Sequence, residues 1–159
     1  MPDILVIYYS RTGHTKEMAR LIADGIEQEG GVSCEVKAVA DVKVDELLDA
    51  KGIVIGSPTY YGNAATEIRK LFDDSVKFHG KLDGKVGAAF TSAANIGGGN
   101  ETTLLSILQS MLVHGMVVEG LPSGDHYGPV AVNAPDERVK KQCNNQGRRV
   151  ARLVRKLFA

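Results

Sequence analysis

No stretch of this 159-residue sequence approaches the roughly 18 consecutive apolar residues that a bilayer-crossing helix needs, which excludes an integral helical membrane protein. Only two cysteines occur, Cys34 and Cys143, far apart and outside any C-x-x-C pair, which points to a reducing compartment and structural thiols. Net charge is absent as well: 19 Lys and Arg balance 19 Asp and Glu, which argues against a dedicated nucleic-acid binder. The opening Met1-Pro2-Asp3 has no basic patch or cleavage site, and the apolar run from Ile4 to Tyr9 is too short for a signal peptide, so a cytoplasmic location is expected. Neither a G-x-x-x-x-G-K-S/T phosphate loop nor a G-x-G-x-x-G dinucleotide fingerprint is present. The four histidines stand singly, with no carboxylate or cysteine at ligand spacing, so no metal site is expected.

What is present belongs to an ordinary globular chain: 43% apolar and 24% charged residues, without repeats, linkers or low-complexity segments, hence a single domain over residues 1–159. The charge is unevenly spread. Residues 133–159 carry eight Lys and Arg against two Asp and Glu, while residues 1–132 carry eleven against seventeen. A solvated helix face is the plain explanation of that basic end, although it could attract phosphates. Glycine is abundant, at 18 residues, and clusters after apolar runs.

Short apolar runs alternate with longer amphipathic ones. Residues 3–9 form a β-branched and aromatic run too continuous for a half-exposed strand, as expected of a buried parallel strand. From Thr15 to Glu29, Met18, Ile22 and Ile26 recur at helical spacing, and Gly30-Gly31 ends that helix. Further strands are expected at 33–38, 52–57, 85–92 and 116–121, the last continuing at 129–132 after a Gly/Pro-rich excursion. Helices are expected at 64–75, at 101–113 with Leu104, Leu105, Ile107, Leu108, Met111 and Leu112 inward, and from Pro135 onward; a short turn is placed at 44–48. The last helix carries Val139, Cys143, Val150, Val154 and Leu157 as its core stripe. A C-x5-R spacing from Cys143 to Arg149 falls inside it, where no exposed anion-binding loop can form. Five strands alternating with helices imply a three-layer, doubly wound parallel α/β sheet.

Ligands of such sheets bind beyond the carboxyl ends of the strands, where the strand order reverses. Three segments stand there: 10–15 (SRTGHT), 57–63 (SPTYYGN) and 91–100 (TSAANIGGGN), all rich in hydroxyls, glycine and amides. The first joins a strand to a helix N-terminus, and with Ser10, Thr12, Thr15 and Gly13 it suits a phosphate monoester. A plainer alternative is that Thr12 merely caps the helix.

Tyr8-Tyr-Ser-Arg-Thr-Gly-His-Thr15 resembles the phosphate loop of the flavodoxins, Ser/Thr-x-Thr-Gly-x-Thr; flavodoxin is itself a standard example of FMN bound at the switch point of a sheet ordered 2-1-3-4-5. Residues 56–63 (GSPTYYGN) resemble the second flavin loop of the WrbA-type NAD(P)H:quinone oxidoreductases, and residues 90–103 resemble that family's third loop and following helix. The likeness runs nearly the whole length and implies a flavodoxin-like fold of order 2-1-3-4-5 with bound FMN. It places Ser10, Arg11, Thr12, Gly13, His14 and Thr15 around the phosphate, and Pro58, Thr59, Tyr60, Tyr61, Gly62 and Asn63 at the isoalloxazine. Thr91, Ser92, Ala93, Ala94, Asn95, Ile96 and Gly97 fall along the ribityl chain and pyrimidine side, and His114 approaches from a helix end, with a possible part in catalysis.

The resemblance implies two-electron transfer from NAD(P)H to a quinone-type acceptor in a homodimer or homotetramer. The chain departs from the family in lacking an insertion around residues 40–48, in having no tryptophan, and in carrying Ala93-Ala94-Asn95-Ile96 in the third loop. A flavodoxin-type electron carrier that docks on redox partner proteins is the other reading, and the neutral charge and Arg11 favour an enzyme over it.

Overall fold

A computed structural model describes residues 1–159. In chain order it holds β1 (Ile4–Tyr8), α1 (His14–Glu29), β2 (Cys34–Ala38), the one-turn α2 (Glu46–Asp49), β3 (Gly52–Pro58), α3 (Thr66–Asp74), β4 (Val86–Ala93), α4 (Asn100–Val113), β5 (Val117–Val118), β6 (Val130–Val132) and α5 (Glu137–Leu157). All strand pairs are parallel, in the order β2-β1-β3-β4-β5, with β6 also on β4. The expected doubly wound order is thus the observed one.

The alternation of a strand explains the layers. Ile4 and Val6 of β1 face α1 and α5, packing with Met18, Ile22, Ile26, Val54, Phe90, Cys143 and Val150. Leu5 and Ile7 face the other side, with Ile53, Ile55, Ile68, Leu104, Ile107 and Met111. A strand covered on both faces favours apolar residues on both, which is why β1 and the first parts of β3 and β4 read as continuous runs, with polar residues only at their carboxyl ends. β2, at the sheet's edge, is half-buried throughout.

Several expectations need correction. The fifth strand stops at Val118, not Leu121; residues 119–129 leave the sheet, and β6 resumes on the same side of β4, with Val86 opposite Val117 and Thr91 opposite Val130. α3 ends at Asp74 and continues as a 3-10 turn, Ser75–Phe78. Asp136 caps α5, accepting from the Val139 N–H at 2.8 Å. Leu105, Leu112 and Leu157, expected inside, are 37%, 59% and 48% exposed. The basic end is partly neutralised: Arg148, Arg152 and Arg155 of α5 all bridge to Glu29 at the end of α1.

Candidate functional site

β1, β3 and β4 run parallel and in register, so the three loops that follow them emerge on one edge of the sheet. Hydrogen bonds lace them together there. The buried Thr15 and Ser92 hydroxyls lie 2.8 Å apart, joining the start of α1 to β4. Thr59 N–H donates to the Ser92 carbonyl at 2.7 Å, and the Thr59 and Thr91 hydroxyls are 2.9 Å apart. Ser57 Oγ accepts from Ala65 N–H at 2.8 Å, fixing the path from β3 into α3.

The first loop ends in an α1 whose N-cap is Gly13, with no side chain bonded to the first-turn N–H groups. Thr12 is therefore not the helix cap. Gly13 has φ 100°, a left-handed conformation that glycine adopts without penalty, and nothing lies within 4 Å of the place a Cβ would take. Ser10 Oγ accepts from Gly13 N–H at 3.0 Å and holds the loop's turn. The result is an open helix N-terminus ringed by Ser10, Arg11, Thr12 and His14, the donor set a phosphate monoester requires. Thr15 lies beneath them, 1% exposed, with its hydroxyl committed to Ser92.

The second loop closes on itself. Tyr60 and Asn63 exchange backbone hydrogen bonds of 2.9 and 3.0 Å, and the two residues between them, Tyr61 (φ 48°) and Gly62 (φ 77°), both take positive φ. For a tyrosine that conformation is strained, and strain of this kind collects at functional sites. Its effect here is to push the Tyr61 ring fully into solvent. Tyr60 turns inward instead. The Arg11 guanidinium lies 5.1 Å from its ring centroid and Tyr9 meets it edge-on at 6.3 Å, while burial pushes the Tyr60 phenol's pKa up. The first and second loops are joined by this contact.

In the third loop, Thr91, Ser92 and Ala93 are buried in β4, whereas Ala94 to Gly97 are exposed, Ile96 by 87%. The loop leads into α4, whose N-cap, Gly99, also lacks a side-chain cap. Thr102, which sequence reasoning missed, donates to the Gly62 carbonyl at 2.7 Å and so ties the second loop to α4. Its partner is forty residues away and is a backbone group, so no local pattern announces it. Asn100 Oδ1 and Thr103 Oγ1 are buried without partners at this same helix end. A groove of about 810 Å³ flanks the first loop on the other side, between Tyr8–Gly13, Val39–Val44 and α3.

One expected site residue is elsewhere. α4 starts at the loop edge and crosses the sheet, about 21 Å for its 14 residues. His114 therefore sits at the opposite, amino edge, next to Gly115, whose carbonyl accepts from Gly84 N–H just before β4. It is buried there, its Nε2 2.8 Å from Ser75 Oγ. Within one chain His114 does not join the three loops.

A family model described as "Flavodoxin domain" matches residues 5–95. The chain is 38% identical to "Flavodoxin" of Aquifex aeolicus over 162 positions, covering 97% of this chain and 88% of the relative. It is 36% identical to "NAD(P)H dehydrogenase (quinone)" of Sinorhizobium fredii over 197 positions, covering 99% of each. Among solved structures, "the flavodoxin, WrbA-like protein from Agrobacterium tumefaciens" superposes with a TM-score of 0.82 at 27% identity, over 98% of this chain and 99% of that one.

Proposed function

The chain belongs to the flavodoxin family, and from that premise we propose that it is an FMN-dependent oxidoreductase passing two electrons from NAD(P)H to a quinone-type acceptor. The observation that carries the cofactor assignment is the uncapped N-terminus of α1, opening where the three loops meet. When bound, FMN supplies the hydride-accepting centre of the reaction. The chain's own part is to bind and orient it. Ser10, Thr12, His14 and the N–H groups of the first turn of α1 hold the phosphate, and Arg11 offsets its charge. Pro58, Thr59, Tyr60, Tyr61, Gly62 and Asn63 edge and stack on the ring, and Thr91 to Gly97 address the ribityl chain and polar rim. The third loop itself, residues 91–100, offers amides and small residues in place of carboxylates.

Electron carriage to redox partner proteins is the second reading, and one observation favours it. The alignment with the Aquifex flavodoxin spans 162 positions, close to this chain's 159 residues, whereas that with the Sinorhizobium dehydrogenase needs 197. The chain thus lacks segments that the Sinorhizobium dehydrogenase carries within that alignment. Self-association as a homodimer or homotetramer completes the proposal. No helix is long and apolar enough to cross a membrane.

Titration of cofactor-free protein with FMN and with riboflavin tests the binding step. Thr12→Val should weaken FMN severalfold and leave riboflavin nearly unchanged; equal losses would remove the phosphate from this loop. NAD(P)H oxidation with a quinone separates the two readings, since a carrier binds FMN tightly but does not turn over.

A further inference from the structure

Beside the first loop, on the side away from the other two, lies the groove between Tyr8–Gly13, residues 39–44 and α3. Its volume of about 810 Å³ is that of a small-molecule site, and only its rim, Ser10 to Gly13, is shared with the place proposed for FMN. One wall alternates: Val42 and Val44 line the groove, while Asp41, Lys43 and Asp45 between and beside them are exposed. Val39, Val42, Val44 and Tyr9 rest on the core beneath and stay half-buried. The facing wall is α3 from Glu67 to Asp74, about 10 Å of helix, with the buried Leu71 between. An apolar slot rimmed by polar groups is the form of a ligand site.

Charge selects the ligand. Three cations line the groove, Arg11, Lys16 and Lys70, against two carboxylates, Glu67 and Asp74. Lys70 and Asp74 neutralise each other at 2.8 Å. Arg11 and Lys16 enter no ion pair, and both stand at the end where the groove meets the start of α1. We infer that the groove binds an aromatic monocarboxylate, its rings in the slot against Tyr9 and the valines and its carboxylate at Arg11 and Lys16. The two tyrosines of the lining, Tyr8 and Tyr9, offer faces and edges that an aromatic body uses better than an aliphatic chain. A planar carboxylate matches the guanidinium fork, and a single negative charge matches a lining whose net charge is +1 when all five charged residues are counted. Arg11 stands between this site and the proposed phosphate. On the FMN reading above, the two anions therefore draw on one cation and weaken each other's binding by the same factor.

Titration calorimetry with 2-naphthoate, on cofactor-free and FMN-saturated full-length protein, tests the site. One molecule should bind per chain in both, severalfold more weakly when FMN is present. The neutral 2-naphthamide, which keeps the rings, and acetate, which keeps the charge, should each bind at least tenfold more weakly. Lys16→Ala and Ala40→Glu, both at exposed positions of the lining and checked for native far-UV circular dichroism, should each weaken naphthoate about tenfold. Naphthoate that does not saturate, is matched by naphthamide, ignores both substitutions or is expelled completely by FMN would overturn the groove as its site. Equal affinity with and without bound FMN would overturn the coupling through Arg11. Protein that took up naphthoate as described but no FMN would lose the flavin reading and keep the groove.

Discussion

The Thr15 hydroxyl lies 2.8 Å from that of Ser92, with both residues buried and 77 positions apart in sequence. The pair fastens the first turn of α1 to β4 directly beneath the loops proposed to hold FMN. Thr15→Val removes the bond and leaves a buried Ser92 hydroxyl unpaired, costing about 1–3 kcal/mol. Adding Ser92→Ala removes the orphan, so the double variant should be less destabilised than the two single costs added together. Urea denaturation of the four proteins measures the coupling, and simple additivity would mean that the contact carries no energy.

Arg11 makes a different kind of link. It is exposed, lies over the Tyr60 ring and has no carboxylate partner, so in the cofactor-free protein Arg11→Ala should cost only about 0.5–1 kcal/mol. Toward the proposed phosphate it is a full charge at short range. At an effective dielectric near 20 that is about 2 kcal/mol at ~8 Å, reduced by exposure and salt, so FMN should bind roughly tenfold more weakly and riboflavin about as before. Raising ionic strength should shrink the difference between wild type and variant; a salt-independent loss would assign Arg11 a packing role.

Much of this architecture was legible in the residues because β1, β3 and β4, buried on both faces, leave unbroken apolar runs, and the loops after them carry visible hydroxyls and glycines. The errors have physical causes. Leu105 and Leu112 read as inward because apolar residues occur on both sides of α4, and periodicity alone does not choose between two apolar stripes. The fifth strand read too long because Gly120 and Leu121 do not say whether the β4 edge is still being paired. His114 read as a site residue from the family resemblance alone. A crossover helix, however, returns the chain to the amino edge of the sheet, so everything at the end of α4 is remote from what lies at its start.

That remoteness gives His114 another consequence. Ser75 Oγ donates to the Phe72 carbonyl at 2.7 Å, so its bond with His114 Nε2 is accepted from an Nε2–H, leaving the buried Nδ1 bare and unpartnered. Burial lowers the His114 pKa below its ordinary 6.5, and the neighbouring His79, 6.2 Å between ring centroids, lowers it further. The unfolded chain then binds a proton more readily than the native one. Stability is full above the ordinary histidine pKa and falls as pH drops through it toward the lower native value. Thermal melts between about pH 7 and about pH 5 should show this loss in wild type, and His79→Ala should lessen it. Identical profiles for both proteins would remove His79 from the account.

The tightest contact between helices is made by glycine, and it sets two known effects against each other. Gly147 of α5 is buried against α1, where an added methyl would land on the Ile22 carbonyl oxygen; in the same way, a methyl on Gly25 of α1 would meet the Asn144 carbonyl. On helix propensity alone, Gly147→Ala should stabilise α5 by about 1 kcal/mol. Against that stands backbone meeting backbone, which no rotamer change relieves. The two longest helices must part, opening gaps around Ile22, Ile26 and Val150, which are 0%, 0% and 5% exposed. Overpacking of a close-packed core costs about 1–3 kcal/mol and is larger where backbone must move, so the clash should win by about 2 kcal/mol. Asn145→Ala, on the exposed side of the same helix, isolates the propensity effect and should stabilise by about 0.5 kcal/mol. Denaturant midpoints that rise for both variants would show that α1 and α5 are not in glycine-to-backbone contact.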